Sequence, residues 1–458
     1  MSDVTVKKPI LYVECTHTMI SGLNTGIQRV VKEVIHYLPQ IVDPTQYEIK
    51  TIVFERGRFV EQAFIPSQPA RPSTLQENIL YAGKIVFLKT RHFVGFFLPE
   101  GKLKFFVTGP RYNPRTLAHV VGKYMFNPTL NVVWRVRKAL KIEKVNILTR
   151  PKLEFKESDI LLLLDSSWYV KFWPEIERFK DSKGKVCNVV YDLIPITHPQ
   201  FCDDFLVDVF KKYFDKAVKH VDKFVCISET VANDLKAFLT PRILNHSAMP
   251  EIGFFHLGSN FRIKEVDETK VDVAVINAYR KTEKMCLIVC TVEPRKNHEY
   301  LLNAFDKLWA NGFDGSLCII GRIGWKVDDL LNRILSHPMM GKKMFMFNDA
   351  SDMDVAYAYR NSKLLLFPSI VEGFGLPIIE GLQWGLPVFV SDTPIHREVG
   401  GTLVKYFDIK RPEDLVTYLS NFDFNSKQVE KANVKVPTWK ESAQWLWNEL
   451  IKRGGVNA

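Results

Sequence analysis

The string Phe367-Pro368-Ser369-Ile370-Val371-Glu372-Gly373-Phe374-Gly375-Leu376-Pro377-Ile378-Ile379-Glu380 sets two carboxylates around a glycine-bearing loop. A strand ends at Phe367 and a helix opens at about Leu376. Pro377 falls near the first helical position, where its missing N–H is no loss. Gly373 and Gly375 keep side chains away, so backbone N–H groups at a helix N-terminus can approach an anion or a polyol. Glu372 precedes the loop and Glu380 lies about one turn into the helix. Carboxylates so separated can accept hydrogen bonds from two parts of one elongated ligand, as sugars and riboses require. Taken one by one, these residues read as surface glutamates on an ordinary strand–loop–helix; only the whole string points to chemistry.

A second candidate group is Thr291-Val292-Glu293-Pro294-Arg295-Lys296-Asn297, between a strand and the helix that starts at about Glu299. Arg295 offers a planar fork of donors and Lys296 a compact charge, a pair suited to a diphosphate. The alternative is a solvated charge pair at a helix start. In the first half, Ser21-Gly22-Leu23-Asn24-Thr25-Gly26-Ile27-Gln28-Arg29 is a turn between a strand and its helix. Gly26 at the helix entrance either admits a phosphate or acceptor to the backbone or simply makes a tight turn. Asp192 follows a strand in Val189-Val190-Tyr191-Asp192-Leu193-Ile194-Pro195 and faces the expected cleft, or serves as an Asx-type cap before Pro195. Ser228 reads as an N-cap, and so do the pairs Asp203-Asp204 and Asp328-Asp329. His17 and His256 fall near strand ends as weaker candidates for ligand contact.

These residues need a scaffold, and apolar runs alternate with helical-period segments almost from end to end. Strands are expected at Ile10–Val13, Ile49–Phe54, Ile160–Leu164, Val186–Tyr191, Phe224–Ile227 and Gly253–His256, with helices at Gly26–Leu38, Phe205–Val221 and Glu229–Phe238. Polar residues 260–284 suit a linker with one short helix. A second series follows, with strands at Met285–Val289, Leu317–Ile320, Lys343–Phe347, Leu364–Phe367 and Pro387–Val390. Its helices are expected at Glu299–Trp309, Asp328–Leu335, Met353–Arg360 and Leu376–Trp384. Such alternation predicts right-handed βαβ units and parallel sheets, hence an α/β chain of two doubly wound Rossmann-like domains facing a cleft. The expected boundaries are 1–265 for the first domain, 285–435 for the second, and 436–458 for a C-terminal helix (Trp439–Ile451) crossing back to the first.

Composition narrows the rest. The chain has 458 residues, 46 % of them hydrophobic and 25 % charged, which excludes wholesale disorder. Its net charge of +11 is concentrated: Lys84 to Lys156 holds 16 Lys and Arg against three acids, so the other 385 residues net −2. Aromatics such as Phe96, Phe97, Phe105 and Trp134 are interleaved with those cations. The segment 84–156 therefore suits an anionic membrane surface first, a solvated basic face next, and nucleic acid or another polyanion last. Of seven cysteines, five (Cys187, Cys226, Cys286, Cys290, Cys318) sit in apolar runs, as small buried hydrophobes do, and no metal-ligand spacing is evident. Residues 1–9 lack the apolar stretch of a signal peptide, and no aliphatic run reaches the ~20 residues of a spanning helix. A reducing cytoplasm is the expected location, with a peripheral position on the inner face of the cytoplasmic membrane.

The Glu372–Glu380 string, with Gly385-Leu386-Pro387-Val388 beyond it, resembles the E-x7-E signature of retaining, family-4-type glycosyltransferases of the GT-B fold. The resemblance covers about Met285 to Gly400 well and the first half only in patches. It implies that Glu372 and the loop Gly373, Phe374, Gly375 and Leu376 hold a donor sugar, and that Glu380 binds the ribose of its nucleotide. It further implies Gly26, Thr291, Arg295 and Lys296 as donor contacts. Lys296 matches the family's lysine, while Cys290 and Thr291 occupy its usual Gly-Arg positions, so Arg295 is expected to replace that arginine, as in a variant similar to mannose-using enzymes. Where similar enzymes carry His-Asp, this chain has Tyr191-Asp192, which leaves Asp192 as the catalytic candidate. Gln383-Trp384 stands where small residues are usual. The implied reaction is transfer of a hexose, mannose-like, from a nucleoside diphosphate sugar to a glycan or lipid-linked glycan, by front-side displacement and without an essential metal or cofactor. A non-catalytic carbohydrate-binding or scaffold protein on the same fold is the competing expectation.

Overall fold

The computed structural model describes residues 8–21, 25–64, 152–243, 249–259, 265–425 and 436–452. The basic segment 84–156 lies outside them except for its last five residues. Among the described residues, two sheets form within one compact unit. The first comprises β1 (Ile10–Glu14), β2 (Glu48–Glu55), β3 (Arg58–Glu61), β4 (Ile160–Leu163), β5 (Lys185–Val190), β6 (Lys223–Cys226) and β7 (Glu251–Phe254), in the order β3-β2-β1-β4-β5-β6-β7. The second comprises β8 (Met285–Val289), β9 (Ser316–Ile320), β10 (Met344–Phe347), β11 (Leu364–Phe367), β12 (Val388–Ser391) and β13 (Lys405–Phe407), in the order β10-β9-β8-β11-β12-β13. Strand order reverses between β1 and β4 and between β8 and β11, the switch points where doubly wound sheets open a crevice at their carboxyl ends.

The central strands are fully buried aliphatic runs, as in Ile160–Leu163 and Leu364–Phe367, because helices cover both faces of a parallel sheet. Pairing is parallel throughout the second sheet. In the first, β3 runs antiparallel to β2, which departs from the all-parallel expectation. Arg56 and Gly57 both adopt positive φ there (50° and 85°), the requirement of a tight hairpin whose twist matches its strands. A four-residue strand is too short to show a period, so it is not legible in sequence. The same brevity hides the helices Thr16–Ser21, Pro394–Gly400 and Pro412–Ser420 and the strand Lys405–Phe407.

The last helix, Trp439–Ile451, packs on the helix Gly26–Ile41 and not on the sheet that precedes it in sequence. Trp439 is fully buried in the hydrophobic cluster of the first sheet with Leu11, Val31, Val189 and Leu446. The chain returns there beside the end of the linker: Ser259 N–H donates to Pro437 O at 2.8 Å. Asp203 caps the helix Asp204–His220 by accepting from Leu206 N at 2.8 Å. Asp328 and Asp329 are not caps. Val327 holds the cap position, and the two aspartates lie in the first turn, where they face the positive end of the helix dipole.

Candidate functional site

The carboxyl ends of β8 and β11 bring together four charged side chains from two separate strings. Pro294–Lys296 forms a single 3-10 turn after β8, and Ile370 N–H, just past β11, donates to Arg295 O at 2.8 Å. That bond ties one loop to the other. Arg295 Nη1 lies 2.6 Å from Glu372 Oε2 and also donates to Val371 O at 3.1 Å, while Arg295 Nη2 lies 2.7 Å from Glu293 Oε1. Lys296 Nζ pairs with the other oxygen of Glu372, and sits 5.2 Å from the centroid of the Phe367 ring.

Burial alone would raise the Glu372 carboxyl, but Arg295 and Lys296 outweigh it and hold the group down at about 2. Its neighbours move the other way. Burial pushes up both Glu293 and Asp192, with Arg295 pulling against it in each case. Burial disfavours the Arg295 cation, yet Glu372, Glu293 and Asp192 together raise its pKa. The result is an ionised Glu372 clamped between cations, beside two carboxyls that hold protons more readily than usual.

The glycine loop docks on the first sheet. Gly375 has φ +99° and precedes the helix Leu376–Gln383, a backbone conformation glycine adopts without penalty. A side chain on Gly373 would run into Tyr191 O, so this glycine is required by the close approach of the β5 end. Ser228 reinforces the contact. It caps its helix by accepting from Val231 N at 3.1 Å and donates to Gly373 O at 2.9 Å. The Phe374 side chain is buried in the first sheet's cluster, its ring 6.0 Å from that of His256. The resemblance implies the loop's backbone amides, Phe374 N–H among them, for the donor sugar. Leu376 also packs its side chain against that cluster.

Glu380 is buried within the same helix and holds two partners. Tyr359 Oη donates to its Oε2 at 2.9 Å, and Arg29 Nη1 pairs with its Oε1. Arg29 comes from the helix Gly26–Ile41 of the first domain. Gly26 itself begins that helix in open space, with nothing within 4 Å of where a side chain would project. Thr291 is half-buried at the end of β8, next to Val292, whose N–H donates to Arg322 O at 2.8 Å.

Asp192 combines its two readings. Its Oδ1 accepts from Ile194 N at 3.0 Å, the Asx-type bond, and its carboxyl also feels Arg295, Glu372 and Lys296. Tyr191 is turned away, donating to Leu164 O at 2.6 Å in the first sheet's core. His17 lies at the other strand end, stacked on Tyr169 with ring centroids 5.4 Å apart. His256 is occupied structurally: its Nε2 lies 2.7 Å from Glu398, which also accepts from Glu229 N and Thr230 N at the start of a first-domain helix. Cys290 gains a histidine neighbour that sequence spacing does not suggest, with His298 Nε2 3.7 Å from its sulfur. Burial pushes the thiol up to about 12 and the His298 imidazole down to about 3. Both are neutral, and among the described residues no group of three or more His, Cys, Asp or Glu is placed to hold a metal ion.

Arg29, Tyr359 and Glu293 are not singled out by the sequence. Arg29 follows Gly26 by three residues, so the spacing of a helix turn is the one local signal that it faces the same way. Tyr359 reads as core. Glu293 stands in the cationic string, but nothing in one dimension shows which cation it holds.

Residues 273–427 match the family model described as glycosyl transferases group 1. The serotype-specific mannosyltransferase WbdA of Escherichia coli is 31 % identical over 307 residues, 65 % of this chain and 37 % of that protein. The match thus spans little more than a third of that relative's length. The O-antigen chain mannosyltransferase RfbU of Salmonella typhimurium (strain LT2) is 24 % identical over 280 residues, 55 % of this chain and 69 % of that protein. Among solved structures, the N-terminal domain of Candida albicans trehalose-6-phosphate phosphatase aligns with a TM-score of 0.54 at 11 % identity, over 98 % of each chain, a likeness of fold alone. Residues 273–427 are thus similar to the group 1 glycosyl transferases, and the chain carries the GT-B fold.

Proposed function

We propose that this chain is a retaining glycosyltransferase that moves a hexose, mannose-like, from a nucleoside diphosphate sugar to a hydroxyl of a glycan or lipid-linked glycan. The observation that carries the reading is the convergence of Arg295 and Lys296 on Glu372 at the carboxyl ends of β8 and β11. The names of the relatives, a serotype-specific mannosyltransferase and an O-antigen chain mannosyltransferase, support the sugar and the acceptor class. A diphosphate entering the site meets the two cations that now neutralise Glu372, and exchange of partners frees the carboxylate to accept hydrogen bonds from sugar hydroxyls. Arg295 and Lys296 then stabilise the charge that develops on the leaving diphosphate, and this electrostatic stabilisation is the main source of rate acceleration at such a site. Glu293 keeps the Arg295 fork in place. Gly373 to Leu376 present backbone N–H groups to the sugar, and Glu380 accepts from the ribose. Asp192, held toward its protonated form by burial, lies where the two domains meet and is the candidate for contact with the reacting centre. Neither a metal nor a cofactor enters this scheme; the acceptor oxygen attacks from the side the diphosphate leaves.

Purified protein, a panel of nucleotide sugars including GDP-mannose, and a mannose-terminated oligosaccharide acceptor test the reading. Mass spectrometry should show one hexose added, with turnover unchanged by EDTA and the anomeric configuration kept by NMR. Unchanged turnover in Glu372→Ala and Lys296→Ala would falsify the site. Donor binding without product would favour a non-catalytic carbohydrate-binding role. A cytoplasmic position, peripheral on the membrane through segment 84–156, belongs to the same proposal. Among the described residues no helix is long and apolar enough to cross a membrane. Vesicles containing anionic lipid should pellet the protein at low salt, and replacing the segment's lysines and arginines by glutamine should abolish it.

A further inference from the structure

The contact between Arg29 and Glu380 has no counterpart in the donor-site roles assigned so far. It joins the two domains at a residue that the proposed function gives to the nucleotide. Arg29 lies one turn into the helix Gly26–Ile41, and its backbone N–H donates to Thr25 O at 3.0 Å. Its guanidinium reaches across to Glu380 Oε1 while lying 5.8 Å from the centroid of the Trp439 ring. It is therefore lodged between the first helix of one domain, the nucleotide-side helix of the other, and the C-terminal helix that ties them together. On the far side of the carboxylate, Tyr359 Oη donates to Oε2 at 2.9 Å, and Tyr359 is itself fully buried. Each carboxylate oxygen thus accepts one fixed donor and keeps a second lone pair for another.

We propose that Arg29 is a positioning residue for the nucleotide ribose: acting from the first domain, it fixes the Glu380 carboxylate so that both oxygens can accept from the ribose diol. The proposal rests on Glu380 being the ribose ligand. A carboxylate pinned at both oxygens cannot rotate, so the geometry of its remaining lone pairs is set before the ribose arrives. Because one of the pins belongs to the other domain, ribose recognition is complete only while the first domain's helix stands against the second domain. A planar guanidinium fork suits this role better than an ammonium, which fixes a charge without fixing an orientation.

The test uses the full chain and calorimetric binding of whichever of GDP, UDP and ADP binds tightest, beside the 2′,3′-dideoxy form of the same nucleotide. In the unaltered protein the ribonucleotide should bind at least about tenfold more tightly than the dideoxy form. Arg29→Gln should lose about tenfold on the ribonucleotide and less than about threefold on the dideoxy form, so that discrimination collapses. Arg29→Lys, which keeps the charge, should fall between, and serves as the readout if Arg29→Gln does not fold. Discrimination retained in both variants, or equal losses on both nucleotides, overturns the role of Arg29. Absence of discrimination in the unaltered protein overturns instead the assignment of Glu380 to the ribose, and absence of any nucleotide binding overturns the proposed function itself.

Discussion

Glu372 is an anion maintained in a place where burial opposes it, and the two cations that maintain it are the groups proposed to meet the diphosphate. The sign of its linkage follows. A folded pKa of about 2, against roughly 4.3 for a free glutamate, contributes stability that is present above that unfolded value and fades as pH falls toward 2. Glu372→Gln should therefore destabilise the protein at pH 7 by on the order of 3 kcal/mol, since it takes the paired carboxylate from buried Lys296 and leaves Arg295 with Glu293. The deficit should narrow between about pH 5 and pH 2 in urea titrations. Its kcat/KM should drop at least about a hundredfold. Asp192 titrates in the opposite sense. Its raised pKa means that the charged form is unfavourable in the fold, so the penalty is absent below the unfolded value and grows as pH rises through the folded one. Asp192→Asn keeps the acceptor for Ile194 N–H. It is expected to raise the melting temperature at pH 7 by up to a few degrees, with the gain gone below about pH 4, while turnover falls.

At the level of elements, the strand–loop–helix from β11 to Gln383 does two jobs with one set of glycines. Gly373 is small because Tyr191 O of the first sheet presses on it, whereas nothing presses on Gly26. Equal substitutions should then part company. We predict that Gly373→Ala, which forces a methyl into backbone, costs about 1–3 kcal/mol in thermal or urea melts and lowers turnover. Gly26→Ala, at a helix start with open space around it, should change stability by less than about 0.5 kcal/mol. A lower donor affinity with an unchanged melt would place a ligand against Gly26, and unchanged affinity would reduce it to a turn residue. Phe374 and Leu376 show the second job, since their side chains insert into the first sheet's cluster while their backbone borders the site.

Across the whole molecule, the second domain grips the first through several polar contacts around the cleft. Gln383 exchanges hydrogen bonds with Ser259 at 2.9 and 3.2 Å, Glu398 caps a first-domain helix and holds His256, and Trp325 Nε1 donates to Phe201 O at 2.6 Å. The unusual Gln383 is thus a contact between the two domains. Trp439 anchors the return of the chain into the first domain's core. Trp439→Ala should cost about 3–5 kcal/mol, measured in urea, and because Arg29 lies over that ring it should also weaken nucleotide binding.

Local sequence properties suffice for the alternation of strands and helices, the two doubly wound sheets, and the strings that carry Glu372, Glu380, Arg295 and Lys296. Apolar runs mark buried parallel strands, and glycines and Pro377 mark the loop and the helix start. Which charges meet is settled only when the chain packs. Glu293 holding Arg295, Tyr359 and Arg29 pinning Glu380, and Tyr191 turned from the cleft into the core are pairings between positions far apart in the chain or on opposite faces of a turn. Hydrophobic period fixes which face of an element is buried, but an ion pair depends on distances of a few ångströms between elements, and those exist only once both sheets and the returning helix have packed.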